Sequence, residues 1–69
     1  MTRHIMKNNP VIDGRPGIRV SKRGHMILRY ARKSARHWEE DLGYRATVCR
    51  DVVTRRYFCF RSRVKKYGN

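Results

Sequence analysis

Acidic residues are scarce in this sequence. Only five of the 69 residues are Asp or Glu, against 18 Lys and Arg, and the formal net charge is +13 at pH 7. A charge of this size opposes compaction through self-repulsion, and it favours a partner of the opposite sign. Nucleic acid, an acidic protein surface and an anionic membrane are the three classes of such partner.

Long apolar runs are also missing. No stretch approaches the length of a membrane span, and no continuous apolar segment follows the first charges of the chain. We therefore expect a cytoplasmic protein with no membrane contact. A chain of 69 residues buries only about 60% of the surface that its unfolded form exposes, which argues against an elaborate enzyme pocket.

Cysteine and histidine are too few to indicate a metal site. Cys49 and Cys59 have nine residues between them and no paired His motif, and His4, His25 and His37 form no ligand set. We expect no metal and no cofactor. In a reducing compartment two such thiols are more often small apolar residues than a bridge, although direct pairing across a hairpin would also allow a disulfide.

Arginine is what the sequence has in excess. Thirteen of the 18 basic residues are Arg and five are Lys. The planar guanidinium group binds phosphate or guanine through two hydrogen bonds and stacks on rings, so the bias indicates a nucleic-acid partner rather than mere solubility. The charge is spread along the whole chain, without an internal repeat or a low-complexity segment.

The stretch from Tyr44 to Lys66 predicts a β-hairpin, because β-branched and aromatic residues fill two runs separated by a polar break. Pairing Cys49 with Cys59 predicts a core face made of Tyr44, Ala46, Val48, Phe58 and Phe60. The opposite face then carries Arg45, Thr47, Cys49, Tyr57, Cys59, Arg61 and Arg63. We expect this second face to meet phosphate and to stack on a base.

The first half of the chain is less definite. Residues 1–17 contain turn residues such as Asp13-Gly14 and predict a flexible basic arm that follows a nucleic-acid backbone through Arg3, His4, Lys7 and Arg15. Residues 18–30 predict a hairpin with a type I turn at Ser21–Gly24 and with Lys22 and Arg23 at its tip. Helical spacing from Ile27 to Leu42 leaves one long helix over residues 25–42 as the alternative.

Residues 34–43 predict a short helix in either case. Ser34 can cap its start, Trp38 can anchor it on the sheet, and Gly43 suits the left-handed residue that ends a helix. Three of the five acidic residues lie at its C-terminal end, where the helix dipole disfavours negative charge: Glu39, Glu40 and Asp41. We expect them to pair with Arg36 and nearby sheet arginines, or else to contact a protein partner.

The predicted fold is a small single α+β domain with two β-hairpins around one short helix, in the order ββαββ, and with the helix packed on a mostly antiparallel sheet. The compact domain covers residues 18–66, after the arm of residues 1–17 and before a tail of residues 67–69, in which Tyr67 caps the core or stacks on a base.

The predicted function is nucleic-acid binding without catalysis. Phosphate contacts come mainly from the C-terminal hairpin, and the layout of sheet plus arm favours DNA over RNA. The predicted binding residues are Lys22, Arg23, Arg45, Thr47, Tyr57, Arg61, Arg63, Lys65 and Lys66.

Two other classes of function stay open. A phage-type inhibitor or adaptor would bind a component of a nucleic-acid machine, and the acidic residues Glu39, Glu40 and Asp41 would be its contact. A small toxin-like ribonuclease would use side chains suited to acid–base chemistry at a phosphate, but these show no motif spacing: His25, His37, Tyr57, Arg61 and Glu40.

Overall fold

A computed structural model describes residues 9–66 and contains one helix between short strands. The strands are β1 (Val11–Ile12), β2 (Arg15–Pro16), β3 (Ile18–Arg19), β4 (Ala46–Arg50) and β5 (Tyr57–Arg61), and the helix is α1 (Leu28–Glu40). The predicted α+β class is confirmed, with strands on both sides of one helix and the helix packed across β4 and β5. No helix within residues 9–66 is long and apolar enough to cross a membrane.

The main sheet has three antiparallel strands in the order β3-β5-β4, so β5 is its central strand. Strands β1 and β2 form a separate two-stranded hairpin. Its turn holds Asp13 at φ 55° and Gly14 at φ 79°, the left-handed pair that an Asp-Gly turn favours. The turn residues of this segment therefore close a hairpin within residues 1–17, for which a flexible basic arm was predicted. The predicted contacts of Arg3, His4 and Lys7, and of Tyr67 in the tail, lie outside the described residues.

The predicted register of the C-terminal hairpin is wrong by one residue. Cys59 lies opposite Val48, and Cys49 lies opposite Phe58. Because successive side chains alternate between faces, this slip places the two cysteines on opposite sides of the sheet, and both are free thiols. A disulfide between them is therefore not formed.

Other parts of the chain cover both faces of the sheet, which explains why the predicted register is wrong by one residue. On one face Cys59 packs under α1, where Cys59 and Ala31 are each 0% exposed. On the other face Phe58 and Phe60 are buried beneath the preceding segment, so that a Cβ on Gly17 would lie 3.3 Å from the Phe60 Cβ. The predicted register depends on one face of the sheet being buried and the other being solvated. A sheet of that kind would have both phenylalanines on the side that faces the helix.

The predicted hairpin over residues 18–30 is also wrong. Strand β3 pairs with β5 instead of residues 26–30, and α1 already begins at Leu28. Ile27 is the N-cap, so Ser34 lies inside the helix and does not cap it. The helical spacing prevails because Ala31 is buried and Ser34 and Trp38 are partly buried on the side of α1 that faces the sheet, while β5 offers β3 an edge to pair with. The alternative of a longer helix is therefore closer to the structure.

The C-terminal end of α1 follows the prediction. Gly43 has φ 83°, and the Tyr44 amide donates to the Trp38 carbonyl at 3.0 Å. Trp38 is half-buried and makes an edge contact with the Tyr44 ring, with centroids 5.6 Å apart. The chain thus reverses tightly around Trp38 and enters β4 directly below the helix.

Candidate nucleic-acid interface

The outer face of α1 carries a row of cations at helical spacing. Arg29, Arg32, Lys33 and Arg36 follow one another at i, i+3, i+4 and i+7, and all four side chains are exposed. We call these four residues the cationic stripe. At 100° per residue they span about 100° of the helix surface, and at 1.5 Å per residue they extend for about 10 Å along it.

The local sequence explains why the cationic stripe faces outwards. Ala31 is fully buried against the sheet, and Ser34, Ala35 and Trp38 are partly buried along the same side of α1. These residues are small except for Trp38, so the helix lies close to β5. The positions between them point away from the sheet, and three of those positions hold Arg or Lys, while Arg29 lies one turn ahead of Arg32 and Lys33 on the same outer side.

No residue of the cationic stripe forms an ion pair within the described residues. The side-chain ion pairs within residues 9–66 join His37 to Asp41 and Asp13 to Arg45, and neither involves the stripe. The stripe residues and Leu28 also line a surface concavity of about 620 Å³. The Arg29 guanidinium carbon lies 5.5 Å from the Tyr30 ring centroid, and exposed guanidinium groups around a concavity are suited to bind phosphate oxygens.

Arg61, a predicted phosphate contact, makes its contacts within the protein. Its guanidinium carbon lies 4.5 Å from the Tyr44 ring centroid and 5.6 Å from the Trp38 centroid, and its Nη1 donates to the Ser62 carbonyl at 2.9 Å. Arg61 is on the helix side of the sheet, since it lies opposite Ala46 and two residues from Cys59. Its side chain therefore joins the sheet to the end of α1.

Arg45 and Arg63 are exposed but are partly engaged by the N-terminal hairpin. The Arg45 Nε lies 3.2 Å from the Asp13 carboxylate, and the Arg63 Nε donates to the Pro16 carbonyl at 2.9 Å. These contacts leave the other guanidinium nitrogens of both residues available. The predicted continuous arginine face is nevertheless absent, because Arg61 lies on one side of the sheet and Arg45 is paired with a different element.

The remaining predicted binding residues are dispersed. Lys22 and Arg23 are exposed in the loop between β3 and α1. Thr47 shares the phenylalanine side of the sheet, whereas Tyr57 is on the helix side with the Arg50 guanidinium 6.0 Å from its ring centroid. Lys65 and Lys66 are exposed beyond β5, and the Lys65 Nζ lies 5.8 Å from the Tyr44 ring centroid.

The acidic residues at the end of α1 make contacts other than the predicted ones. Glu39 accepts a hydrogen bond from the Ala46 amide at 3.1 Å, which ties the helix to the start of β4. Asp41 pairs with the His37 Nδ1 at 2.7 Å, and not with Arg36. Glu40 is exposed. Two of the three carboxylates are thus engaged locally, and less acidic surface is free for a protein partner than the sequence indicates.

Of the residue types for acid–base chemistry, His25 and Tyr57 are brought together and His37 is placed away from His25. His25 pairs with Tyr57 through two backbone hydrogen bonds of 2.7 Å, ahead of the helix, while His37 lies near its C-terminal end. Nine helical residues from Leu28 to Arg36 separate the two, which is about 13 Å of helix. No group of three or more His, Cys, Asp or Glu within residues 9–66 could hold a metal ion.

The cationic stripe is not among the binding residues that the sequence predicts. Its signal was present, since the four positions repeat at 3, 1 and 3 residues, the pattern of one helix face. The predicted strand over residues 26–30 hides this pattern, because side chains alternate along a strand and Arg29 is then separated from Arg32.

The cationic stripe aligns four exposed cations along one side of α1. Its four side chains are free of ion pairs within residues 9–66, in contrast to Arg45. No family model matches this chain, and neither a curated protein nor a solved structure matches it.

Proposed function

We propose that this protein binds nucleic acid, with duplex DNA preferred over RNA, and that the cationic stripe makes the main phosphate contacts. The observation that carries the proposal is the row of four exposed cations on α1, which has no ion-pair partner within residues 9–66. The net charge of +13 supports the proposal, because the whole molecule attracts a polyanion. The stripe concentrates part of this charge on one side of α1.

The shape of the stripe supports duplex DNA over RNA. Helix α1 has 13 residues and is therefore about 20 Å long, and its outer side is open to solvent. The major groove of B-DNA, about 12 Å wide, admits an α-helix, whereas the major groove of A-form RNA is too narrow and deep to be read. Lys22 and Arg23, ahead of α1, add exposed cations beside the helix start.

The test is fluorescence anisotropy with duplex DNA, single-stranded DNA, duplex RNA and single-stranded RNA at several salt concentrations. We expect duplex DNA to bind best and its affinity to fall steeply with salt, because each phosphate contact releases counterions. In the variant Arg32→Gln/Arg36→Gln, the slope of log K against log salt should become shallower by about 2, close to 0.9 for each lost contact.

A variant with the same loss of charge provides the control. Lys65→Gln/Lys66→Gln removes two exposed cations that the sequence analysis assigned to binding. If it weakens binding as much as the Arg32→Gln/Arg36→Gln variant does, the interaction depends on diffuse charge and the stripe is not the interface. If polyaspartate at equal charge displaces every nucleic acid equally well, an acidic protein surface becomes the better proposal.

A further inference from the structure

The loop between β4 and β5 exposes two adjacent valines at its tip. Val52 is 84% exposed and Val53 is 64% exposed. We call these two residues the valine tip. Single exposed apolar residues need no explanation, but two adjacent ones at the end of a hairpin leave a projecting apolar group without a cover in the described chain.

The loop that carries the valine tip is held by a buried carboxylate. Asp51 is 1% exposed, and its carboxylate accepts hydrogen bonds from the Val53 amide at 3.3 Å, the Thr54 amide at 3.4 Å and the Thr54 hydroxyl at 2.8 Å. The backbone closes the loop further, since the Asp51 amide donates to the Arg56 carbonyl at 2.8 Å. The valine tip is therefore presented in a defined position by a tight turn.

Positive charge surrounds the valine tip. Arg50 precedes Asp51, and Arg55 and Arg56 follow Thr54, so that three arginines lie within three residues of the tip. Arg50 and Arg55 are exposed, and Arg55 takes a left-handed φ of 63° to complete the turn. An apolar projection with cations on both sides matches a partner that has an apolar interior and an anionic rim.

The valine tip is at the same end of the molecule as the start of the cationic stripe. Residue His25 pairs with Tyr57 at the beginning of β5, which directly follows the loop, and α1 begins three residues after His25. Met26, whose side chain is 74% exposed, lies between His25 and the start of α1 in the sequence. A ligand bound along α1 therefore reaches this end of the sheet as well.

We propose that the valine tip is a wedge that enters the minor groove of duplex DNA and partly unstacks a base step, while the flanking arginines contact the phosphates on either side. The proposal rests on the proposed function. The stacked faces of the bases form the apolar interior of a duplex and the phosphates form its anionic rim, and apolar side chains that insert between base steps kink DNA. A flexible pyrimidine–purine step is the preferred site of insertion, because it unstacks most readily.

The test measures bending separately from binding. A duplex of about 30 base pairs with a dye at each end and a central TA step reports bending by energy transfer, and anisotropy on the same duplex reports affinity. We expect the wild-type protein to increase the energy transfer. Val52→Ser/Val53→Ser should lose at least half of that increase, while its affinity falls by less than about tenfold because the phosphate contacts remain.

A matched control uses two other exposed valines. Val11 and Val64 are 68% and 60% exposed, outside the loop, and Val11→Ser/Val64→Ser should bend the duplex as the wild type does. If the wild type binds without bending, or if both double variants bend equally, the wedge is wrong and the proposed function stands. If no duplex binds, both proposals fail.

Vesicles that contain phosphatidylserine form the last arm of the test, since a membrane surface is also apolar beneath an anionic rim. Co-sedimentation that depends on Val52 and Val53, without any effect of the same variant on DNA bending, would overturn the wedge in favour of a membrane contact. Duplex bending that depends on the two valines, without vesicle binding, supports the wedge.

Discussion

The thiol of Cys59 donates a hydrogen bond to the backbone carbonyl of Ala31 at 3.0 Å, and both residues are fully buried. This contact joins the central strand of the sheet to the middle of α1. A larger residue at either position would lift the helix off the sheet, because the two surfaces meet through an alanine methyl and a thiol. The outward direction of the cationic stripe depends on this close approach.

The buried thiol predicts a loss of stability at alkaline pH. Burial raises the pKa of Cys59 above its ordinary 9.0, in spite of hydrogen bonds from Ser34 and Ser21 that lower it. The folded state then keeps the thiol proton at a pH where the unfolded state loses it. The contribution of this thiol to the free energy of unfolding is therefore fully present below about pH 9 and is lost as the pH rises further towards the folded pKa.

Urea denaturation at several pH values between 7 and 10.5 measures this effect. The decline above pH 9 should be shallower in Cys59→Ala than in the wild type, whatever the cost of the substitution at neutral pH. Cys49→Ala is the comparison, because the pKa of Cys49 is also raised by burial but its thiol is only partly covered. Equal slopes in the wild type and Cys59→Ala would contradict the prediction.

A second prediction concerns the close approach of Gly24 to Phe58. Gly24 has φ +75°, and a Cβ at this position would lie 2.8 Å from the Phe58 Cζ. Gly14 has a similar φ of +79° but no atom within 4 Å of its Cβ position. Gly14→Ala should therefore cost about 1–2 kcal/mol for left-handed strain alone, and Gly24→Ala should cost more because Phe58 must move.

Chemical denaturation followed by circular dichroism gives the loss of unfolding free energy in both alanine variants. The difference between the two alanine variants reports the packing of residue 24 on Phe58, since the backbone strain is common to both. Equal destabilisation would mean that the loop ahead of α1 does not lie on the phenylalanine face of the sheet.

A third prediction concerns the different roles of Arg61 and Arg63, which are both binding residues in the prediction from sequence. Arg61 stacks on Tyr44 and Trp38, whereas Arg63 is exposed and contacts the Pro16 carbonyl. Arg61→Ala should lower the free energy of unfolding by about 1–2 kcal/mol through lost ring packing, and Arg63→Ala by less than about 0.5 kcal/mol.

Thermal unfolding and DNA anisotropy of the two variants distinguish a structural from a binding role. Each variant loses one charge, so similar small losses of affinity are expected from both. A large loss of affinity in Arg61→Ala at unchanged stability would restore the predicted role of this residue in phosphate binding.

Local features of the fold are readable from the sequence. The Asp13-Gly14 turn, the left-handed Gly43 and the β4–β5 pair follow from the preferences of a few neighbouring residues, and the structure contains all three. The cationic stripe is also a local feature, because its spacing follows from the sequence once residues 28–40 are known to be helical. Charge and arginine content alone predict the class of partner, which remains a prediction.

The amino-acid sequence by itself determines the excess of positive charge, the α+β class and the turns at Asp13-Gly14 and Gly43, because these depend on composition or on short stretches of chain. The tertiary structure decides the register of β4 against β5, the pairing of β3 with β5 and the separation of Arg61 from the other arginines. Alternation of apolar residues indicates register only when one face of a sheet is solvated. Here α1 covers one face and residues 12–24 cover Phe58 and Phe60 on the other, so the register depends on contacts between segments far apart in the chain.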